Sequence, residues 1–148
     1  MAAERLVLDA SYALEAILPS SEKWRQEALD MIAAIAAHDV EAHVPWVFFA
    51  ELANVVTRSV RGRRVDGRAA ADFLREIDVL SLRVDPAELG SLALHQAAMT
   101  WHAGAYDAIY LDLAARLAAP IATRDRGIIT AAHAFGVPVY RADVIERP

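Results

Sequence analysis

The sequence predicts an α/β fold, a three-layer α/β/α sandwich around a central, mostly parallel sheet of four to five strands. Short apolar runs alternate along the chain with longer stretches of helical spacing, which is the order expected of a parallel sheet covered on both faces. The first run, Leu6–Leu8, is wholly apolar, as strands buried on both faces are. The chain has 148 residues, of which 56% are hydrophobic, so we expect a single domain over residues 1–148.

Five stretches are predicted as strands because they are short, apolar and bounded by polar or turn-forming residues. In an open sheet of this kind, functional sites form just beyond the carboxyl ends of the strands. The residues that follow each strand are therefore the first candidates for a site. The predicted strands are Arg5–Asp9, Glu41–Val44, Val79–Val84, Pro120–Thr123 and Val137–Arg141.

Helices are predicted between the strands from apolar spacing and from capping residues. The stretch 22–37 is a predicted helix in which Trp24 shares one apolar face with core residues and so packs inward; that face comprises Trp24, Ala28, Met31, Ile32 and Ile35. Asp85, followed by Pro86 and Glu88, is typical of a helix start. Gly62 and Gly136 stand where helices are expected to end.

Composition excludes several classes of protein. Cysteine is absent, so disulfides and thiolate metal sites are excluded. No apolar run reaches the ~20 residues that span a bilayer, and the first residues lack the features of a signal peptide. We therefore expect a cytoplasmic protein without a membrane partner.

The basic residues are unevenly distributed, although the net charge of −5 disfavours one large basic face. Five arginines form a cluster within eleven residues, and two interpretations of this cluster stay open. Its guanidinium groups suit phosphate binding, and they equally suit an ordinary solvated surface. The cluster comprises Arg58, Arg61, Arg63, Arg64 and Arg68.

The first predicted strand ends at an aspartate, in the stretch "RLVLDAS". Asp9 or Ser11 would serve as the cap of the following helix, because short polar side chains accept hydrogen bonds from free helix N–H groups. The alternative is that Asp9 forms one wall of a site. "TRD", residues 123–125, repeats the combination of hydroxyl and carboxylate after the fourth strand, and Asp125 is likewise a plausible helix cap.

Two further acids lie in apolar surroundings. Glu51 is the only charge in residues 44–56, where an unpaired buried carboxylate is costly; it either marks a solvent-facing stripe, paired with Arg58, or belongs to a site. Asp107 and Asp112 lie five positions apart and so point about 140° apart on a helix. Asp112 has Arg116 one turn later as an ion-pair partner and is expected to face water, whereas Asp107 faces inward. The alternative for Asp107 is that it only stabilises the first turn of a helix, where the helix dipole favours an acid.

Asp9, Glu51, Asp107 and Asp125 each lie at or just past the carboxyl end of a predicted strand, and we expect them to converge. Four carboxylates in one pocket repel one another unless a cation neutralises them. Ligation by oxygen alone suits Mg²⁺ or Mn²⁺.

The ordered set "LDAS", "AELANVV", "YDAIYLDLA" and "TRD" resembles PIN-domain ribonucleases of the VapC-type toxin branch of toxin–antitoxin pairs, over nearly the whole chain. The resemblance implies a PIN-like fold and an endoribonuclease that hydrolyses RNA phosphodiester bonds with metal-activated water. It implies that Asp9, Glu51, Asp107 and Asp125 are catalytic and hold Mg²⁺ or Mn²⁺. Around them, Ser11, Thr123 and Asn54 would support the ligands.

The resemblance also implies partners, namely an RNA substrate, a cognate antitoxin protein and a second copy of the chain in a homodimer. The helix bearing Trp24 is one candidate surface for the antitoxin. The Arg58–Arg64 segment cannot be assigned an RNA-binding role by the resemblance and is kept as a hypothesis from charge alone.

Rival enzyme classes fit less well. A dehalogenase-type phosphatase needs a second aspartate where Ser11 stands, and a receiver domain needs a late lysine, whereas Lys23 is the only lysine. Zinc-hydrolase spacings of histidine and a G-x-S-x-G motif are absent from the sequence. The alternative from another class is a PIN-like module that binds RNA or protein without cleaving it.

Overall fold

A parallel sheet organises residues 2–141, the part of the chain that the computed structural model describes. Its strands are β1 (Glu4–Leu8), β2 (Val40–Val44), β3 (Arg83–Val84) and β4 (Ile121–Ala122). Within these residues the order is β3-β2-β1-β4, and each neighbouring pair is parallel. The central position of β1 puts its carboxyl end, and thus Asp9, in the middle of one edge of the sheet.

Seven helices connect and cover these strands within the described residues. Most begin after a residue in extended conformation, and Ser21, Asp66 and Asp125 accept hydrogen bonds from the first turns that follow them. The helices are α1 (Ala10–Leu14), α2 (Glu22–Ala36), α3 (Val47–Arg61), α4 (Gly67–Asp78), α5 (Ser91–Trp101), α6 (Ala105–Leu117) and α7 (Arg126–Phe135).

Two hydrophobic cores lie on opposite faces of the sheet, and side-chain alternation along the strands separates them. Leu6 and Leu8 of β1 pack into the core formed with α1, α2, α3 and α4. Val7, between them, packs into the core formed with α5, α6 and α7. The predicted three-layer α/β/α architecture is therefore confirmed. No helix in residues 2–141 is long and apolar enough to cross a membrane.

The third and fifth predicted strands differ from the observed elements. Val79–Val84 shortens to Arg83–Val84 because α4 continues to Asp78, and Val79 ends that helix with its side chain exposed. In Val137–Arg141, only Val139 forms a bridge, to Ile121. Pro138 accepts a hydrogen bond from Ile121 but has no N–H to donate, which limits the ladder.

The helix predicted to start at Asp85 is also wrong, since α5 begins at Ser91 after Gly90. The Asp85 backbone N–H instead donates to the Val44 carbonyl and prolongs the pairing of β3 with β2. Its carboxylate accepts from Arg116 at 2.6 Å, so the side chain serves a tertiary ion pair. The predicted helix ends at Gly62 and Gly136 are confirmed.

Candidate active site at the carboxyl edge of the sheet

Asp9 is the most deeply buried of the four predicted site acids, with only 3% of its surface exposed. It occupies the position before α1, yet its side chain makes no capping hydrogen bond. Its Oδ2 accepts instead from the Ser11 hydroxyl and, at 2.8 Å, from the Thr123 hydroxyl. Two hydroxyl donors therefore fix the orientation of this carboxylate, and the capping interpretation of Asp9 is wrong for its side chain.

The turn from Thr123 to Asp125 ties the end of β4 to the end of β1. The Arg124 backbone N–H donates to Ser11 Oγ at 2.9 Å, and the Asp125 N–H donates to Thr123 Oγ1 at 3.0 Å. Asp125 Oδ1 accepts from the Ile128 N–H at 3.0 Å, so Asp125 does cap α7. Asp125 can cap the helix and also belong to the site, because the capping hydrogen bond fixes the position of its carboxylate.

Glu51 is the fifth residue of α3, about one helical turn after the helix begins at Val47, and is half-buried. Its Oε1 accepts a 2.7 Å hydrogen bond from the hydroxyl of Tyr110 on α6. The predicted alternative, an ion pair with Arg58, does not form within the described residues. Tyr110 was not predicted as a residue of the site, and its hydrogen bond to Glu51 joins two helices that are far apart in the chain.

Asp107 lies in the first turn of α6. The expectation that it follows a strand end is wrong, because α5 separates it from β3. A Cβ atom placed on Gly127 would lie 3.4 Å from Asp107 Oδ2 and 3.1 Å from Asp125 Oδ1. Both carboxylates therefore border the small gap that this glycine leaves open.

The pKa values of three of the four acids, Asp9, Glu51 and Asp107, are raised by burial and by the charges of neighbouring acids. Burial raises the pKa of Asp9 most strongly, and the charge of Asp125 raises it further. Burial also raises the pKa of Glu51, against the hydrogen bond from Tyr110, and the other three acids add to the rise. Burial, followed by Asp125 and Asp9, raises the pKa of Asp107 from 3.8 to about 6.

Across residues 2–141, none of the four acids forms a salt bridge with a lysine, arginine or histidine. An uncompensated acidic cluster at the edge of a sheet is an arrangement that a bound cation would stabilise. The neighbouring acids raise one another's pKa values at Asp9, Glu51 and Asp107, which supports the expected convergence of the four carboxylates in one pocket; that convergence stays a prediction.

These carboxylates would form an open site for a divalent cation rather than a closed cage of protein ligands. Among the described residues, no three acidic or histidine side chains stand close enough to enclose an ion. Mg²⁺ keeps several waters and uses only one or two protein carboxylates, so an open set suits it better than a complete cage. Asp9 provides one carboxylate in a fixed orientation, and the carboxylates of Asp107 and Asp125 border the gap at Gly127.

Comparison with known protein families identifies the family of this chain. The sequence matches the family described as "PIN domain" over residues 6–134. The chain belongs to the PIN domain family. PIN domains have a nuclease-type fold and are typically metal-dependent nucleases.

A solved structure of similar fold is the crystal structure of PAE2754 from Pyrobaculum aerophilum. The two share 23% sequence identity with a TM-score of 0.63, and the match covers 88% of this chain and 86% of that chain. At this identity the likeness supports the fold of this PIN domain alone. No curated protein sequence matches the chain.

The other residues predicted for the site of this PIN domain differ in whether they contact the acids. Ser11 and Thr123 contact Asp9 directly. Asn54 is exposed on α3, one turn after Glu51, and within residues 2–141 it forms no side-chain hydrogen bond to a carboxylate. The arginine cluster is exposed at the end of α3, in the following loop and at the start of α4; it comprises Arg58, Arg61, Arg63, Arg64 and Arg68.

Arg124 is a structural residue of the site that sequence reasoning missed. Its guanidinium carbon lies 4.6 Å from the centre of the Tyr12 ring and 4.7 Å from that of Trp24, and it pairs with Glu27. The prediction that Trp24 packs inward is wrong in part. The ring is 37% exposed, because it covers the Arg124 guanidinium at the edge of the core rather than entering the core.

We expect Arg124→Met to lower the free energy of unfolding by about 2–3 kcal/mol, because it leaves the half-buried Glu27 carboxylate without its close partner. Urea unfolding monitored by circular dichroism measures the loss. Arg75→Met is the matched control, since Arg75 pairs with Asp72 in full exposure, and it should cost less than about 0.5 kcal/mol. Equal losses in the two variants would contradict a structural role for the Arg124 contact.

Proposed function

We propose that this PIN domain is a metal-dependent endoribonuclease that hydrolyses RNA phosphodiester bonds, and that it acts as the toxin of a toxin–antitoxin pair. The uncompensated cluster of Asp9, Glu51, Asp107 and Asp125 is the observation that carries the proposal. A fold that needed these acids only for stability would pair them with arginines, as it does for Asp85 and Glu27. Family membership supports the nuclease class.

Each side chain of the site would have its own role in binding the cation. Asp9, fixed by Ser11 and Thr123, would provide the anchoring ligand for Mg²⁺ or Mn²⁺, with Asp107, Asp125 and Glu51 around it. Tyr110 would hold Glu51 in its orientation through the hydrogen bond to Oε1. When bound, such a cation polarises a phosphate, lowers the pKa of a water and stabilises the charge on the departing oxygen.

The net reaction adds one water across the phosphodiester. An oxygen–phosphorus bond forms from water, the bond from phosphorus to the 3′ oxygen breaks, and that oxygen takes up a proton. The products are a 5′-phosphate and a 3′-hydroxyl. Neither a protein nucleophile nor the 2′-hydroxyl of the RNA takes part.

Partners are proposed on the strength of the family resemblance. A small antitoxin would cover the acids, and a second copy of the chain would form a homodimer. The exposed apolar side chains of Leu92 and Met99 on α5 support an additional protein contact. A cytoplasmic location would suit both partners and the RNA substrate.

The test is cleavage of RNA by the purified protein. We expect cutting with Mg²⁺ or Mn²⁺, none in EDTA, and products that carry 5′-phosphates and 3′-hydroxyls. An RNA with a 2′-deoxy sugar at the cut position should still be cleaved. Activity that persists in EDTA, or products that end in 2′,3′-cyclic phosphates, would contradict the proposal; binding without cleavage would favour the non-catalytic module.

A further inference from the structure

A groove along α3 continues from the acidic cluster. Its cavity of about 530 Å³ is lined by one face of the helix together with Tyr106 of α6. The opposite face of the helix is buried in the core, through Phe48, Leu52 and Val56. Glu51 belongs both to the groove and to the acidic cluster, so the two are continuous.

Two large aromatic rings border this groove in exposed positions. Trp46 is 55% exposed and Tyr106 is 64% exposed. Tyr106 directly precedes Asp107 in the chain, and Trp46 directly precedes α3. An aromatic ring held at the surface loses apolar burial, and a stacking partner would recover that loss.

The polar lining of the groove suits a nucleotide. Asn54 lines the groove and offers an amide donor and acceptor to a base edge. Arg58 lies one turn beyond Asn54, and within residues 2–141 no carboxylate forms a salt bridge with it. From Val47 to Arg58 the helix rises about 16 Å, which separates the aromatic end of the groove from the cationic end.

We propose that this groove binds an unpaired nucleobase of the RNA strand, stacked against Trp46 or Tyr106, with a phosphate farther along the same strand on Arg58. The inference deepens the proposed function and rests on it for the identity of the strand. A base is uncharged and enters beside Glu51 without repulsion, whereas a phosphate farther along the strand reaches Arg58. Bases in a duplex are stacked and paired and cannot insert between protein rings, so the groove selects single-stranded segments.

The test is binding of a short fluorescein-labelled RNA in EDTA, followed by fluorescence anisotropy, with a gel to show that the RNA is intact. We expect Trp46→Leu and Tyr106→Leu each to weaken binding about tenfold, since stacking on an aromatic ring is lost while apolar bulk is kept. Trp46→Phe and Tyr106→Phe should restore most of it. Val79→Ala, an exposed apolar change at the end of α4 and outside the groove, should bind as the wild type does.

The salt dependence of binding and the comparison of single-stranded with duplex RNA provide two further measurements. Arg58→Gln should lower the slope of log affinity against log salt by about one, as expected for one lost phosphate contact. Arg75→Gln, an exposed arginine on α4, should leave that slope unchanged. The same RNA annealed to its complement should bind more weakly than the single strand.

The groove and the nuclease proposal fail in different ways. If the leucine variants bind and cleave as the wild type does, the groove proposal is overturned while the nuclease proposal stands. If they lose RNA binding but the wild type never cleaves, the groove stands and the nuclease proposal fails. Unchanged RNA binding together with a change in sedimentation would assign the groove to a protein partner and overturn the proposal.

Discussion

Asp9→Asn is expected to abolish metal-dependent RNA cleavage while leaving the fold intact. The amide is the same size as the carboxylate, and its oxygen still accepts hydrogen bonds from Ser11 and Thr123. It carries no negative charge, however, so the best-fixed ligand for a cation is lost. Since loss of groups that merely support a ligand already costs about 10–100-fold in metal affinity or activity, we expect a larger loss here, measured as initial rates on a labelled RNA.

The control for this change is Asp112→Asn, which removes the same charge from a surface ion pair with Arg116. It should cleave at the wild-type rate. Circular dichroism of Asp9→Asn should match the wild type, which separates loss of the ligand from loss of the fold. Cleavage by Asp9→Asn within a few-fold of the wild-type rate would rule out a catalytic role for this carboxylate.

Asp107→Asn should stabilise the metal-free protein at neutral pH. The pKa of Asp107 is raised from 3.8 to about 6, so the folded chain binds this proton more tightly than the unfolded chain does. The wild type therefore loses folding free energy as the pH rises through this interval, and the loss is complete above it. The asparagine variant cannot ionise and avoids that loss.

The magnitude is modest because two effects oppose each other. A shift of about two pKa units in a half-buried group, discounted for solvent screening, corresponds to about 1–2 kcal/mol. Loss of a negative charge from the first turn of α6 costs about 0.3–1 kcal/mol. We expect a net gain of about 1 kcal/mol in urea unfolding at neutral pH, no gain at pH values below both pKa values, and no gain in Asp112→Asn.

Saturating Mn²⁺ should make the wild type the more stable of the two proteins, because an ion that binds only the folded state stabilises that state more when it binds more tightly. Asp107→Asn binds the ion more weakly and gains less. A variant that is less stable than the wild type without metal, or equally stabilised by Mn²⁺, would show that Asp107 does not share a site with the other acids.

The sequence alone predicted the layers of this fold well because burial on both faces leaves a strong pattern. Leu6–Leu8 and the apolar face of α2 were recognised for this reason. Short edge strands leave a weaker pattern. Val79 and Leu80 are apolar yet belong to the end of α4 and the turn after it, since helix continuation there outweighs strand propensity.

Residues of the candidate site were predictable where a charge stood out against apolar neighbours, as Glu51 does. The contacts that orient them were not, because they join distant parts of the chain. The bond from Tyr110 to Glu51 spans 59 positions, and that from Thr123 to Asp9 spans 114. Arg124 was hidden for the same reason, since its two rings and Glu27 come from α1 and α2.

A crystal of the protein soaked in Mn²⁺ and measured at the manganese absorption edge tests the central claim most directly. The account predicts an anomalous peak at about 2.0–2.2 Å from a carboxylate oxygen of Asp9, with at least one of Asp107, Asp125 and Glu51 also in contact through oxygen or an intervening water. A saturating soak that leaves this edge of the sheet empty, or that places manganese only elsewhere, would contradict it.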